Sequence, residues 1–126
     1  MFKVLVVEDE EFGRELILEL LTGLAMCDMA TNGHEGFVRY MRSLEKDPYD
    51  IILLDISMPK MDGIKLLKLI AEYQRALSIK EQVPIIVVTA MNDRVEEAMA
   101  LGCSDYMLKP LHGAKLIEMM KKYMHK

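Results

Sequence analysis

Ile51-Ile52-Leu53-Leu54-Asp55 is the stretch whose reading decides the fold. Its apolar residues are consecutive rather than alternating, which marks a strand covered by helices on both faces of a parallel sheet. Three other runs share its form. Val4-Leu5-Val6-Val7 runs into Glu8-Asp9, Ile85-Ile86-Val87-Val88 into Thr89-Ala90, and the shorter Asp105-Tyr106-Met107-Leu108 leads to Lys109-Pro110. Longer amphipathic stretches separate them, a rhythm that argues for βαβ units.

Working outward, strands are expected over 2–7, 26–30, 49–54, 85–88 and 105–108. The intervening periodicity predicts helices over 10–21, 35–45, 64–77, 93–101 and 111–124. Phe12, Leu16, Leu20 and Leu24 form the expected core stripe of the first helix, and Phe37, Met41 and Leu44 that of the second. In the last helix Leu116, Ile117, Met120 and Met124 suit the core. Met119 and Tyr123 lie beside them, either as a broader core stripe or as an adaptable partner surface. Asn32-Gly33 and Asp62-Gly63 read as turn signals, and Pro84 opens a strand where proline is tolerated. The expected fold is α/β: a doubly wound, flavodoxin-like, five-stranded parallel sheet of order 2-1-3-4-5, with five helices on two faces. Right-handed crossovers limit the topologies that remain, and this order is one of the two common doubly wound arrangements.

The 126 residues fit a single domain over 1–126, and 52% hydrophobic content is enough to build a core. A net charge of −4 gives no basic footprint for nucleic acid. No run approaches the ~20 apolar residues that span a bilayer, and the start Met1-Phe2-Lys3 lacks signal-peptide organisation. A cytoplasmic protein without membrane contact is therefore expected. Cys27 and Cys103 fall on opposite edges of the expected sheet and should remain free thiols. His34, His112 and His125 form no set and read as surface or capping residues.

In an open parallel sheet, ligands bind outside the carboxyl ends of the strands. That edge collects Glu8, Asp9, Asp55, Thr89 and Lys109. Carboxylates in such a group suit Mg²⁺, which takes oxygen ligands and leaves room for phosphate. Asp55 is the best nucleophile, because a carboxylate can attack phosphorus to form an acyl phosphate. Thr89 and Lys109 can each hold a phosphoryl oxygen. Crowded acids also predict a raised pKa in the group. Each residue has a plainer role available: Asp9 as a helix N-cap, Asp55 as a turn former, and Lys109 as a solvated cation. Their conjunction at successive strand ends is what argues for one pocket.

Four segments carry a resemblance: Val-Val-Glu8-Asp9-Glu, Leu-Leu-Asp55-Ile-Ser-Met-Pro59-Lys-Met-Asp-Gly63, Val-Val-Thr89-Ala90 and Asp-Tyr106-Met-Leu-Lys109-Pro110. Together they resemble the receiver domain of two-component response regulators, of the single-domain chemotaxis-regulator kind. The resemblance implies that Asp55 accepts a phosphoryl group from a sensor histidine kinase or a phosphotransfer protein. It implies that Mg²⁺ is held by Asp9, Asp55 and the Ser57 carbonyl, with Glu8 acting directly or through water. Glutamate is a departure here, since aspartate is commoner at that position. It implies a cis Lys109-Pro110 bond, and a switch in which Thr89 moves toward phosphate and Tyr106 turns inward. The surface of the fourth helix, fifth strand and fifth helix would then change for a downstream protein partner or an output domain, with a homodimer through that surface a further expectation.

The reading is of a switch, not an enzyme: self-phosphorylation and slow autodephosphorylation of Asp55 only. Ser57 and Met91 flank the route of attacking water, and neither orients it well, so a persistent phosphoryl group is expected. The alternative is a non-phosphorylated interaction module of the same fold. A haloacid-dehalogenase-type phosphatase needs an acid where Ser57 stands, and an FMN carrier would not tolerate Glu8-Asp9-Glu10-Glu11 around a phosphate.

Overall fold

The computed structural model describes residues 2–57, 63–90 and 94–124. Five strands alternate with five helices: β1 Phe2–Val7, α1 Glu11–Leu21, β2 Ala25–Ala30, α2 Gly33–Lys46, β3 Ile51–Asp55, α3 Gly63–Ala76, β4 Ile85–Thr89, α4 Val95–Ala100, β5 Asp105–Leu108 and α5 Gly113–Lys121. All strands run parallel in the order β2-β1-β3-β4-β5. The expected topology therefore stands, with the chain reversing direction of travel between β1 and β3. Cys27 on β2 and Cys103 before β5 are both free, at opposite edges.

Successive side chains of a strand point to opposite faces, and the two faces have separate cores. Leu5, Val7, Ile52, Leu54, Ile85 and Val87 pack with Tyr40 of α2, Leu66, Leu67 and Ile70 of α3, and Ala98 of α4. Val4, Val6, Ile51, Leu53 and Ile86 pack with Ile17 and Leu21 of α1 and with Leu116 and Met120 of α5. All five residues of β3 and of β4 are buried, which is why their apolar residues run consecutively.

Several expectations shift. The α1 stripe holds at Leu20, which packs against the core, but is otherwise out of phase: Ile17 and Leu21 are the buried residues of the helix, whereas Phe12 is 78% exposed. A spacing of four gains about 40° per step on a helix of 3.6 residues per turn, so a stripe from Phe12 to Leu24 drifts off the core face. The helix also ends at Leu21, before Leu24. Asn32 proves to be a helix cap rather than part of a free turn, its Oδ1 accepting from the Glu35 N–H at 2.8 Å. Met119 and Tyr123 both pack against the α1–α5 core, and the Tyr123 hydroxyl donates to the Ser104 carbonyl at 3.0 Å. The broader core stripe is therefore the better account of α5. His34 and His112 are exposed; His125 lies outside the described residues.

Candidate functional site

Three strand ends converge because β1, β3 and β4 are adjacent and in register, with Val7 beside Leu54 and Asp55 beside Val88. Glu8 follows β1, Asp55 closes β3 and Thr89 closes β4, all three buried. Lys109 follows β5, and its backbone N–H donates to the Thr89 carbonyl at 2.9 Å. The Lys109-Pro110 bond is cis, as expected. The ammonium of Lys109 lies 2.8 Å from Glu8 Oε1 and 3.2 Å from Asp55 Oδ2.

Carboxylate oxygens of Glu8, Asp9 and Asp55 come within 4.8 Å of one another. Asp9 does not cap α1: Glu10 takes the N-cap position, without a capping side-chain bond. Asp9 is thus left facing the site. Tyr106 stands apart from the cluster, 40% exposed on β5. Pro59 and Met91 lie outside the described residues.

Two supports had no sequence signal of their own. Arg14 donates from Nη1 to the carbonyls of Glu8 and Asp9, both at 3.0 Å, which fixes the turn that carries the acids. Ser57 donates to Asp55 Oδ1 through its N–H at 2.8 Å and its hydroxyl at 2.6 Å. Only the spacing, two residues past a strand-end Asp, hints at this Asx-like turn.

The electrostatics follow from burial and crowding. Burial, then a hydrogen bond and the charge of Asp55, push the Glu8 carboxyl up to about 7, against an opposing pull from Lys109. Burial also raises Asp55, but hydrogen bonds from Glu8 and Ser57 and the Lys109 charge bring it below the usual carboxylate range. Burial disfavours the Lys109 ammonium, yet its bonds to Glu8 and the charges of both acids hold its pKa above the ordinary value. One cation is thus shared between two buried acids, and ionised Glu8 leaves its buried Oε2 without a donor.

The raised Glu8 pKa sets a sign for stability. Protonated Glu8 stabilises the fold fully below its ordinary value of 4.5, and that contribution is lost as pH rises toward about 7. Metal-free protein should lose about 1–3 kcal/mol across that window from this group. Glu8→Gln should flatten the loss, as read from urea midpoints at a series of pH values. A slope unchanged by the substitution would assign the titration to another group.

The response regulator receiver domain model matches residues 4–121. The chain belongs to the response regulator receiver domain family. This receiver domain is 34% identical over 126 residues to the hybrid signal transduction histidine kinase G of Dictyostelium discoideum, covering 96% of this chain but only 4% of that much longer protein. With the chemotaxis protein CheY of Thermotoga maritima it shares 34% identity over 95% of both chains. It superposes with a TM-score of 0.85 and 29% identity on a chain in the CheX–CheY–BeF₃–Mg²⁺ complex of Borrelia burgdorferi, covering 99% of this chain and 90% of that one. Receiver domains are phosphorelay switches of two-component signalling rather than enzymes for a diffusing substrate, and this one has the fold and the acidic pocket of that family. Among the described residues no helix is long and apolar enough to cross a membrane.

Proposed function

We propose that Asp55 of this receiver domain is the phosphoacceptor and that Glu8, Asp9, Asp55 and the Ser57 carbonyl hold Mg²⁺ beside it. The observation that carries the reading is a cluster of three acids, two of which share one ammonium, in which ionised Glu8 leaves its buried Oε2 without a donor. A buried polar atom costs free energy when unsatisfied, and a hard divalent cation is the partner an acid-rich, oxygen-only donor set fits. The bound cation would neutralise phosphoryl charge. The relative from Borrelia, whose complex contains BeF₃ and Mg²⁺, supports the same reading.

The chain's own residues supply the rest. Ser57 fixes the Asp55 carboxylate through two donors to one oxygen. Held below the usual carboxylate range, Asp55 stays ionised and nucleophilic at neutral pH. An Asp55 oxygen bonds to phosphorus as the N–P bond of a phosphohistidine breaks; the bonding pair leaves on the imidazole nitrogen. Lys109 then meets a phosphoryl oxygen, and Thr89 donates to another. Because the Lys109 N–H is tied to the Thr89 carbonyl, movement at β4 is transmitted to β5. Tyr106, exposed in this structure, turns inward behind Thr89 in the phosphorylated state. The outcome is a shift between two conformations of the α4–β5–α5 surface, available to a downstream protein, an output domain or a second copy. The donor is a sensor histidine kinase or phosphotransfer protein, and the setting is cytoplasmic.

Incubation with a small-molecule phosphodonor tests this. Mg²⁺-dependent formation of a hydroxylamine-labile acyl phosphate, mapped to Asp55 and abolished by chelator, is expected. The phosphoryl group should outlast seconds without an added phosphatase. Absence of label at any Mg²⁺ concentration would favour a non-phosphorylated interaction module.

A further inference from the structure

We infer that Gly13 is a positioning residue for this site, and that it makes the room in which the longer acid Glu8 lies. The inference rests on the proposed metal-binding role of Glu8. Gly13 sits inside α1, where glycine costs stability relative to alanine. Its φ is not in the left-handed region, so backbone conformation does not explain that cost. Space does. A Cβ built on Gly13 would fall 2.5 Å from Glu8 Oε1, 2.9 Å from Cδ and 3.0 Å from Cγ. Every one of the three nearest atoms belongs to the Glu8 side chain.

The clash is therefore with one side chain and not with backbone. To escape it Glu8 must move its carboxylate, whose Oε1 accepts from the Lys109 ammonium at 2.8 Å. Gly13 thus lets the Glu8 carboxylate lie over Lys109 by leaving a notch, and so sets its place in the cluster with Asp9 and Asp55. Arg14, the next residue, clamps the Glu8 and Asp9 carbonyls from the same turn. The first turn of α1 fixes both the backbone and the side chain of this acid. An alanine at position 8 carries none of the three crowded atoms, so it needs no such notch. Glutamate at position 8 and glycine at position 13 form a matched pair.

The test is a double-mutant cycle between Gly13→Ala and Glu8→Ala, read two ways. Metal-free proteins are melted, and Mg²⁺ affinity is measured by titration calorimetry. In the Glu8 protein, Gly13→Ala should leave the chain folded but weaken Mg²⁺ binding by about tenfold, the scale at which groups orienting a ligand act. In the Glu8→Ala protein the same substitution should raise Tm, as helix propensity alone dictates, and leave whatever Mg²⁺ affinity remains unchanged. Equal effects of Gly13→Ala in both backgrounds, in melting and in affinity, would overturn the inference. The melting arm needs no metal. If Mg²⁺ fails to bind any variant, the metal-binding role of Glu8 falls, while the melting cycle still decides whether Gly13 and Glu8 are matched.

Discussion

Asp55→Asn abolishes acyl-phosphate formation and leaves metal-free protein at neutral pH more resistant to urea than the parent chain. Both effects come from the same geometry. Asparagine keeps the size of the side chain and an oxygen for the Ser57 donors, which stand at 2.8 and 2.6 Å from Asp55 Oδ1. It removes the nucleophile and one of the two buried anions that share Lys109. Glu8 then has the ammonium to itself and loses the neighbour whose hydrogen bond and charge raised it. The gain should be about 1 kcal/mol, the scale of one relieved charge contact after bonds to a neutral amide replace charge-assisted ones. Lys109→Ala has the opposite sign. It leaves two buried acids without their cation, an arrangement that typically costs about 3 kcal/mol or more. Labelling with a phosphodonor and urea unfolding of both variants give four readings. Residual label on Asp55→Asn would move the acceptor elsewhere. A destabilised Asp55→Asn would mean that its bonds, not its repulsions, dominate the site.

The signs of these effects show where sequence is informative. Strand ends that deliver Glu8, Asp55, Thr89 and Lys109 to one edge were legible because apolar runs mark strands and strand ends mark the ligand edge. Burial of β3 and β4 on both faces follows from the same consecutive residues. What escaped the reading was set by contacts between elements. Nothing in the order of residues says that Arg14 reaches back to two carbonyls, since that depends on how α1 leaves the sheet. The Ser57 hydroxyl bond depends on a turn whose torsions spacing alone does not fix. The α1 stripe failed in part for a geometric reason: several apolar residues surround the helix, and packing on the sheet face of Val4 and Val6 selects Ile17 and Leu21 over Phe12. Tyr40 shows the same limit. It is a main anchor of α2 in the core, ringed by Phe37 and Tyr73 at 6.5 and 6.1 Å, yet the stripe of Phe37, Met41 and Leu44 expected for that helix leaves it out.

Gly63→Ala should destabilise the domain by about 3 kcal/mol or more, at the upper end of overpacking costs. The sequence pair Asp62-Gly63 reads as a turn, where glycine serves a left-handed backbone. Gly63 instead begins α3 and has no such φ. Its role is close approach: a Cβ there would collide with the Asp55 carbonyl and lie 2.5 Å from Ile56 Cα. Those are backbone atoms at and just past the end of β3, the central strand buried on both faces. The strand cannot yield without disturbing its neighbours β1 and β4, so α3 must lift. Lifting α3 withdraws Ile64, Leu66 and Leu67 from the core and shifts Asp55 relative to Lys109. Gly36→Ala makes the comparison. Its Cβ would meet only side-chain methyls, Val7 Cγ2 at 3.0 Å and Leu66 Cδ2 at 3.1 Å, which can move by tenths of an ångström, so its cost should be about 1 kcal/mol. Urea unfolding ranks the two, and phosphodonor labelling of the folded fraction reads the site. Gly63→Ala should lose label even where it remains folded, whereas Gly36→Ala should keep it. Equal stability of the two variants would mean that α3 does not depend on this contact, and full labelling of folded Gly63→Ala would separate the position of α3 from that of Asp55.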